Sequence, residues 1–351
     1  MHMADALVAP AVAATMYVAS GAAAGISIKT LRKDESTQKL PTMAVTSALV
    51  FAGQMINYTI PGTGSSGHLC GGMLLTALLG PQAGFLSMIV ILAIQCLFFA
   101  DGGLLALGAN CWNMAFYGCF VGYYILWRPM MRSKLFSGMG PKAAGRAKIT
   151  LASILGCVLT LQLGAFSVVL ETTASGITEL PFGAFCAMMQ PIHLAIGLIE
   201  GLITTAVLLF VYEARPELIM DVETSGQSGK HSLKTTLAVL AVTALVVGGG
   251  LSLVASSNPD GLEWSLFGNA EAGYSENMGL DEDDFGVSSV AADAAASIQE
   301  KTAFLPDYAF AGSDSAAGTT VSGLVGSALV AALAAVICLA GGFFRRKTQT
   351  P

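Results

Sequence analysis

What most limits the fold of this chain is a succession of apolar stretches long enough to cross a bilayer as helices. Nine are marked, near residues 7–28, 41–58, 68–80, 84–100, 107–127, 149–171, 190–212, 233–256 and 321–344. A spanning helix needs roughly 17–25 predominantly apolar residues. Within lipid, a segment must also satisfy its own backbone N–H and C=O groups. The expected fold class is therefore an all-α polytopic membrane protein. The third stretch is short, nearer to a half-span or a helix buried among others. Only 11% of the 351 residues are charged and 54% are hydrophobic, whereas soluble domains average about 25% charge. An ordinary soluble enzyme is a poor fit, and a formal net charge of −6 gives no support to nucleic-acid binding.

Basic residues set the expected orientation, because cytoplasmic loops beside spans accumulate Lys and Arg. They fall in four groups: Lys29, Arg32, Lys33 and Lys39; Arg128, Arg132, Lys134, Lys142, Arg146 and Lys148; Arg215, Lys230 and Lys234; and Arg345, Arg346 and Lys347. With nine crossings these groups share one face, and Lys301 alone of the 17 basic residues lies on the other. The expectation is an N-terminus outside and a C-terminus in the cytoplasm. No basic residue precedes the first apolar core in MHMADALVAP, unlike a secretory signal. An uncleaved first helix, carrying an intact Met1-His2 to the outer face, is the expected arrangement.

Two modules are expected. Residues 1–215 alternate seven spans with short loops, and 216–232 turn polar, with Gly226 and Gly229, as a cytoplasmic linker. Residues 233–351 then place two spans around an outer loop, 257–320. That loop holds Asp260, Glu263, Glu271, Glu276, Asp281, Glu282, Asp283, Asp284, Asp293, Glu300, Asp307 and Asp314 against Lys301, a net −11 that leaves +5 for the rest of the chain. Its Ala, Gly and Ser content favours partial disorder. Cys70, Cys96, Cys111, Cys119, Cys157, Cys186 and Cys338 lie in or near the spans without a CxxC pair, so they read as buried packing residues.

Four histidines are few enough to weigh singly. A terminal amine, a deprotonated amide and the His2 imidazole can chelate one metal in a plane, a geometry that favours Ni(II) or Cu(II) over tetrahedral Zn(II). A polar residue at an exposed terminus is ordinarily just solvated. His68 changes that balance. It lies in the 57–72 segment with Gly62, Gly64 and Gly67, on the same expected face, where irregular backbone is tolerated only against protein or a cavity. A structural imidazole bonded to its own loop is the competing reading.

His193 precedes Glu200 by seven residues on one helical face. The pair reads as a buried His–carboxylate or interhelical hydrogen bond that could orient the site. His231 reads as a solvated linker residue. Asn57, Asp101 and Asn110 are possible outer partners of the metal ligands, although Asp101 is read first as the N-cap of the helix after it. No GxxxxGK[ST], HExxH or GxSxG motif is present. A membrane metalloenzyme would need an open coordination position. A scaffold or sensor would support no uptake.

Met1-His2, Gly67-His68-Leu-Cys-Gly-Gly72, FFADGGLLALGAN at 98–110 and HLAIGLIEGLIT at 193–204 together resemble the substrate-binding M subunit of nickel/cobalt energy-coupling-factor transporters. The second module, opening Asn-Pro-Asp-Gly-Leu-Glu-Trp264 and closing near Leu305-Pro-Asp-Tyr308, resembles their small N subunit, fused here. The resemblance implies that the Met1 amine, the His2 amide and imidazole, and the His68 imidazole bind one Ni(II) or Co(II) in a planar site. It further implies a transmembrane coupling (T) subunit and two cytoplasmic ATPase subunits as partners, in a cell (inner) membrane. The expected role is Ni(II) uptake by an ABC-type importer, with Co(II) uptake for cobalamin synthesis as the alternative. The chain would be no enzyme and carry no prosthetic group, the metal being cargo.

Overall fold

The computed structural model of the chain describes residues 1–32, 39–223, 229–275, 278, 280, 286–310 and 316–347. Lys33 of the first basic group, Gly226 of the linker, and Glu276, Asp281, Glu282, Asp283, Asp284 and Asp314 of the acidic loop lie outside the described residues.

The chain is a helical bundle. Helix α1 (Pro10–Leu31) opens on a proline, whose fixed φ and missing N–H suit a first helical position. After α2 (Lys39–Gln54), a short antiparallel hairpin, β1 (Tyr58–Ile60) with β2 (Ser65–Gly67), replaces regular helix. Then come α3 (Gly72–Leu79) and α4 (Pro81–Phe99), the latter again opening on proline. Helix α5 (Leu107–Asn110) continues through π-helical turns at Cys111–Trp127 into α6 (Arg128–Arg132). The long pair α7 (Pro141–Ala174) and α8 (Phe182–Ala214) follows. The remaining helices are α9 (Leu233–Gly249), α10 (Gly261–Phe267), α11 (Val290–Thr302) and α12 (Ala316–Lys347).

Among the described residues, six helices are long and apolar enough to cross a membrane: α1, α4, α7, α8, the 233–254 run and the 317–337 part of α12. The other three expected stretches differ for stated reasons. Helix α2 has 16 residues, and the 107–132 run is interrupted in type rather than in direction. The third stretch contains only the eight-residue α3, bounded by left-handed Gly71 (φ 83°) and by Gly80 (φ 82°). All eight of its residues are buried. Its far end meets the chain after α8, where the Met220 amide donates to the Ala77 carbonyl at 2.8 Å. Roughly 12 Å of helix suffices because the hairpin segment before it turns into the protein.

Close helix approach is achieved at small residues, as is usual between membrane helices. A Cβ on Gly201 would stand 2.6 Å from the Ile154 Cα, which brings α8 onto α7. Helices α9 and α12 meet at Gly248 and Gly323, and Gly326 of α12 lies against Phe51 of α2. The C-terminal helices therefore pack on the N-terminal bundle. Between them, the described parts of the 257–320 loop include regular helix. Asp260 and Glu263 form a reciprocal capping box for α10, and Ser289 caps α11, so local hydrogen bonding supplies helix starts in an Ala/Gly/Ser-rich segment. Cys70, Cys96, Cys111, Cys119 and Cys157 are free and buried.

Candidate metal-binding site

The first eight residues do not trail into solvent. Met3, Leu7 and Val8 are fully buried, and Met1 is 7% exposed. Asn110 brackets the Met3 backbone, accepting from its N–H at 2.8 Å and donating to its C=O at 3.1 Å. Gly103 N–H donates to the same carbonyl, and Asp5 accepts from the Ala106 amide. These contacts lay the terminus along the 101–110 turn and direct Met1-His2 into the bundle.

There it meets His68. The Met1 amine stands 3.4 Å from His68 Nε2. The His2 and His68 rings stack, with centroids 5.3 Å apart and planes 19° apart. His68 Nδ1 lies 3.1 Å from the Leu69 carbonyl. A carbonyl only accepts, so Nδ1 carries the proton and Nε2 presents its lone pair to the amine. Burial, then the neighbouring terminal amine and His2, push His68 down to about 4, and burial likewise lowers His2. Both rings are thus held in the neutral form that ligates metals.

The His68 segment is held from behind. Glu200, 1% exposed, accepts the Cys70 amide at 2.8 Å on one carboxylate oxygen and the Gly71 amide at 2.9 Å on the other. The expected His193–Glu200 pair is not formed. Seven residues along a helix are roughly 10.5 Å, too far for a direct bond, and His193 Nδ1 instead lies 2.8 Å from the Met189 carbonyl one turn back. Cys70 donates to the Met114 carbonyl and serves packing.

Of the expected outer partners, Asp101 and Asn110 reach the terminus and Asn57 does not. The Asp101 carboxylate stands 3.1 Å from His2 Nδ1 and accepts the Tyr308 hydroxyl at 2.5 Å. It does not cap a helix, because the 101–106 turn intervenes and Ala106 occupies the N-cap of α5. Gln95 Oε1 lies 3.3 Å from His2 Nε2. Asn57 stands at the hairpin base, where its backbone carbonyl accepts from the Ser256 amide.

One central residue was absent from the sequence-based set. Asp260 accepts the Met1 ammonium directly, and the same oxygen is 3.9 Å from His68 Nε2. Burial opposes its charge, but the ammonium and His68 hold its carboxyl well below the usual range. Its other oxygen caps α10. The Asp-x-x-Glu capping pattern in Asn-Pro-Asp260-Gly-Leu-Glu263 was the available signal; nothing in it points 259 residues back to Met1. The C-terminal segment closes the site elsewhere too, as Gln299 of α11 donates to Gly102 C=O and Tyr308 holds Asp101. Among the described residues, no three or more His, Cys, Asp or Glu side chains gather as a metal cluster.

Fold and site define a class: a multi-pass helical membrane protein in which Met1, His68, His193 and Asp260 line one small pocket. The family is specific. Residues 2–218 match the CbiM model, described as a cobalt uptake substrate-specific transmembrane region, and residues 234–341 match the PDGLE domain. This chain belongs to the CbiM family. It is 38% identical over 334 residues to an Archaeoglobus fulgidus protein named as a fused nickel transport protein NikMN, covering 95% of this chain and 96% of that one. The fused nickel transport protein NikMN of Rhodobacter capsulatus is 29% identical, with 95% of each chain covered. A crystal structure of a truncated transition metal transporter superposes with a TM-score of 0.51 at 31% identity, over 61% of this chain and 99% of that one. The chain is thus a membrane component of transition-metal uptake, a transport protein rather than an enzyme.

Proposed function

We propose that this chain is the substrate-capture subunit of an energy-coupling-factor importer for Ni(II). The Met1 amine, the His2 amide and imidazole, and the His68 imidazole form the planar ligand set. In this reading residues 1–215 are the capture module, 216–232 a cytoplasmic linker and 233–351 a fused assisting module. The N-terminus faces outward from a cell (inner) membrane. A transmembrane coupling subunit and two ATPase subunits supply the driving force. The observation that carries the reading is the inward-folded terminus, whose amine stands 3.4 Å from His68 Nε2.

Closing the chelate uses His2 Nδ1, the atom that now faces Asp101, and it frees the amine from Asp260. The second module thereby occupies the amine until a cation displaces it. Four nitrogens in a plane suit a low-spin d⁸ ion, which favours nickel.

Calorimetric titration of Ni(II) into the purified chain tests this. His2→Ala should lower affinity by at least roughly 100-fold, beyond the 10–100-fold cost of losing an outer partner of a ligand. Unchanged affinity would sink the chelate. Co(II) is the second reading, favoured by the family description as a cobalt uptake region. Metal content after growth with both ions decides between them.

A further inference from the structure

His193 is the one histidine of the buried group that the ligand set leaves unused. It lies eleven residues into α8, roughly 16 Å along the helix from its start, and is 1% exposed. Its Nδ1 contact with the Met189 carbonyl fixes the proton there, so Nε2 is the lone-pair atom. That Nε2 is buried and, among the described residues, makes no hydrogen bond. Leaving such a group unpaired is costly, and an intramembrane ionisable residue normally marks an ion pathway.

The imidazole does not face packed side chains alone. It lines a cavity of about 20 Å³ shared with Met1, Gly67, His68, Asp260 and Gly261, room for about one water-sized occupant. Gly261 keeps the space in front of the ring open. A Cβ there would stand 3.1 Å from His193 Cε1 and 3.4 Å from Nε2. A ring whose second nitrogen is anchored to a carbonyl, with its free lone pair in a cavity, has the orientation of a metal-ligating histidine.

We propose that this cavity is a second station for the divalent cation, in which His193 Nε2 and the His68 imidazole are the protein donors. This rests on the chelate reading above. His68 is common to both stations, so an ion leaving the terminus keeps one protein ligand while exchanging the Met1 amine and the His2 amide and imidazole for the His193 imidazole. A set without deprotonated amide binds less tightly and less permanently, as onward movement requires.

The test uses the full chain in detergent and Co(II) as the probe, followed by calorimetry and by its visible ligand-field bands. His2→Ala removes the chelate and should retain one weaker Co(II) site with imidazole-type bands. Adding His193→Ala should cost that residual site at least roughly 10-fold in affinity and remove the bands. His2→Ala with His193→Gln separates coordination from hydrogen bonding, because glutamine keeps a neutral polar group but no imidazole nitrogen. It should fail as alanine does, and its size-exclusion profile certifies the fold. The assignment is overturned by residual binding that ignores His193 or that glutamine restores. It is equally overturned if His2→Ala binds no Co(II) while the unaltered chain does. An unaltered chain that binds neither Ni(II) nor Co(II) would instead overturn the chelate reading itself.

Discussion

Glu200 offers the sharpest test of how the fold would set the proposed metal site from behind His68. Its two carboxylate oxygens each accept one backbone amide, Cys70 and Gly71, immediately after His68. Glu200→Gln keeps the shape but has one acceptor oxygen. One amide then faces an NH₂ group, donor against donor. Leaving a buried amide unsatisfied costs about 1–3 kcal/mol, and the site is too buried for water to replace the bond freely. If that loss falls on the conformation that presents His68, Ni(II) affinity drops roughly 5- to 150-fold, since 1.4 kcal/mol is tenfold. Isothermal titration of the full chain measures it, with circular dichroism confirming unchanged helix content. Glu200→Ala should be worse, because both amides are orphaned. Ni(II) affinity within twofold of the unaltered chain in Glu200→Gln would refute the argument that this carboxylate positions the loop.

Two further outcomes follow from the geometry. Gly118→Val should lower the unfolding temperature in detergent, because a Cβ at Gly118 stands 2.8 Å from the Gly72 Cα; overpacking of this kind costs about 1–3 kcal/mol, and an unchanged midpoint would show that the helices yield there at no cost. For pH, the His68 imidazole is pushed from an ordinary 6.5 to about 4. The unfolded chain therefore takes up more protons than the folded one in that window. Stability of the metal-free protein should fall as pH drops from 6.5 toward 4, and the acid slope should be shallower in His68→Gln; equal slopes would contradict the lowered value.

Much of the fold was legible because the bilayer leaves few options. Apolar runs of helical length had to be helices, and the long ones at 149–171, 190–212 and 321–344 fall within α7, α8 and α12. The 57–72 segment announced irregular backbone through its glycines, and left-handed Gly62 and Gly64 shape the hairpin turn. Length arithmetic failed at 68–80. A chain that enters the protein as a hairpin leaves only eight residues for helix, and hydropathy does not distinguish burial in protein from burial in lipid.

The site divided along a similar line. His2 and His68 were legible as a pair because the topology expected from the basic residues puts both on one face. The partners of Glu200 and Asp260 were not, since each is set by tertiary contact over 129 residues or more. Sharing a helical face suggested His193 for Glu200, but two turns of rise separate them, and the backbone amides of another segment offered a better fit.

The contact between Met1 and Asp260 also orders events in time. The two residues lie 259 positions apart, and at about 5–20 residues per second of synthesis the amine precedes its carboxylate by roughly 13–50 s. Throughout that interval the terminus has no counter-charge from the later segment. If the proposed chelate forms, a nascent chain carries its donors before their cover, and the segment around Asp260, made later, is its closing stitch.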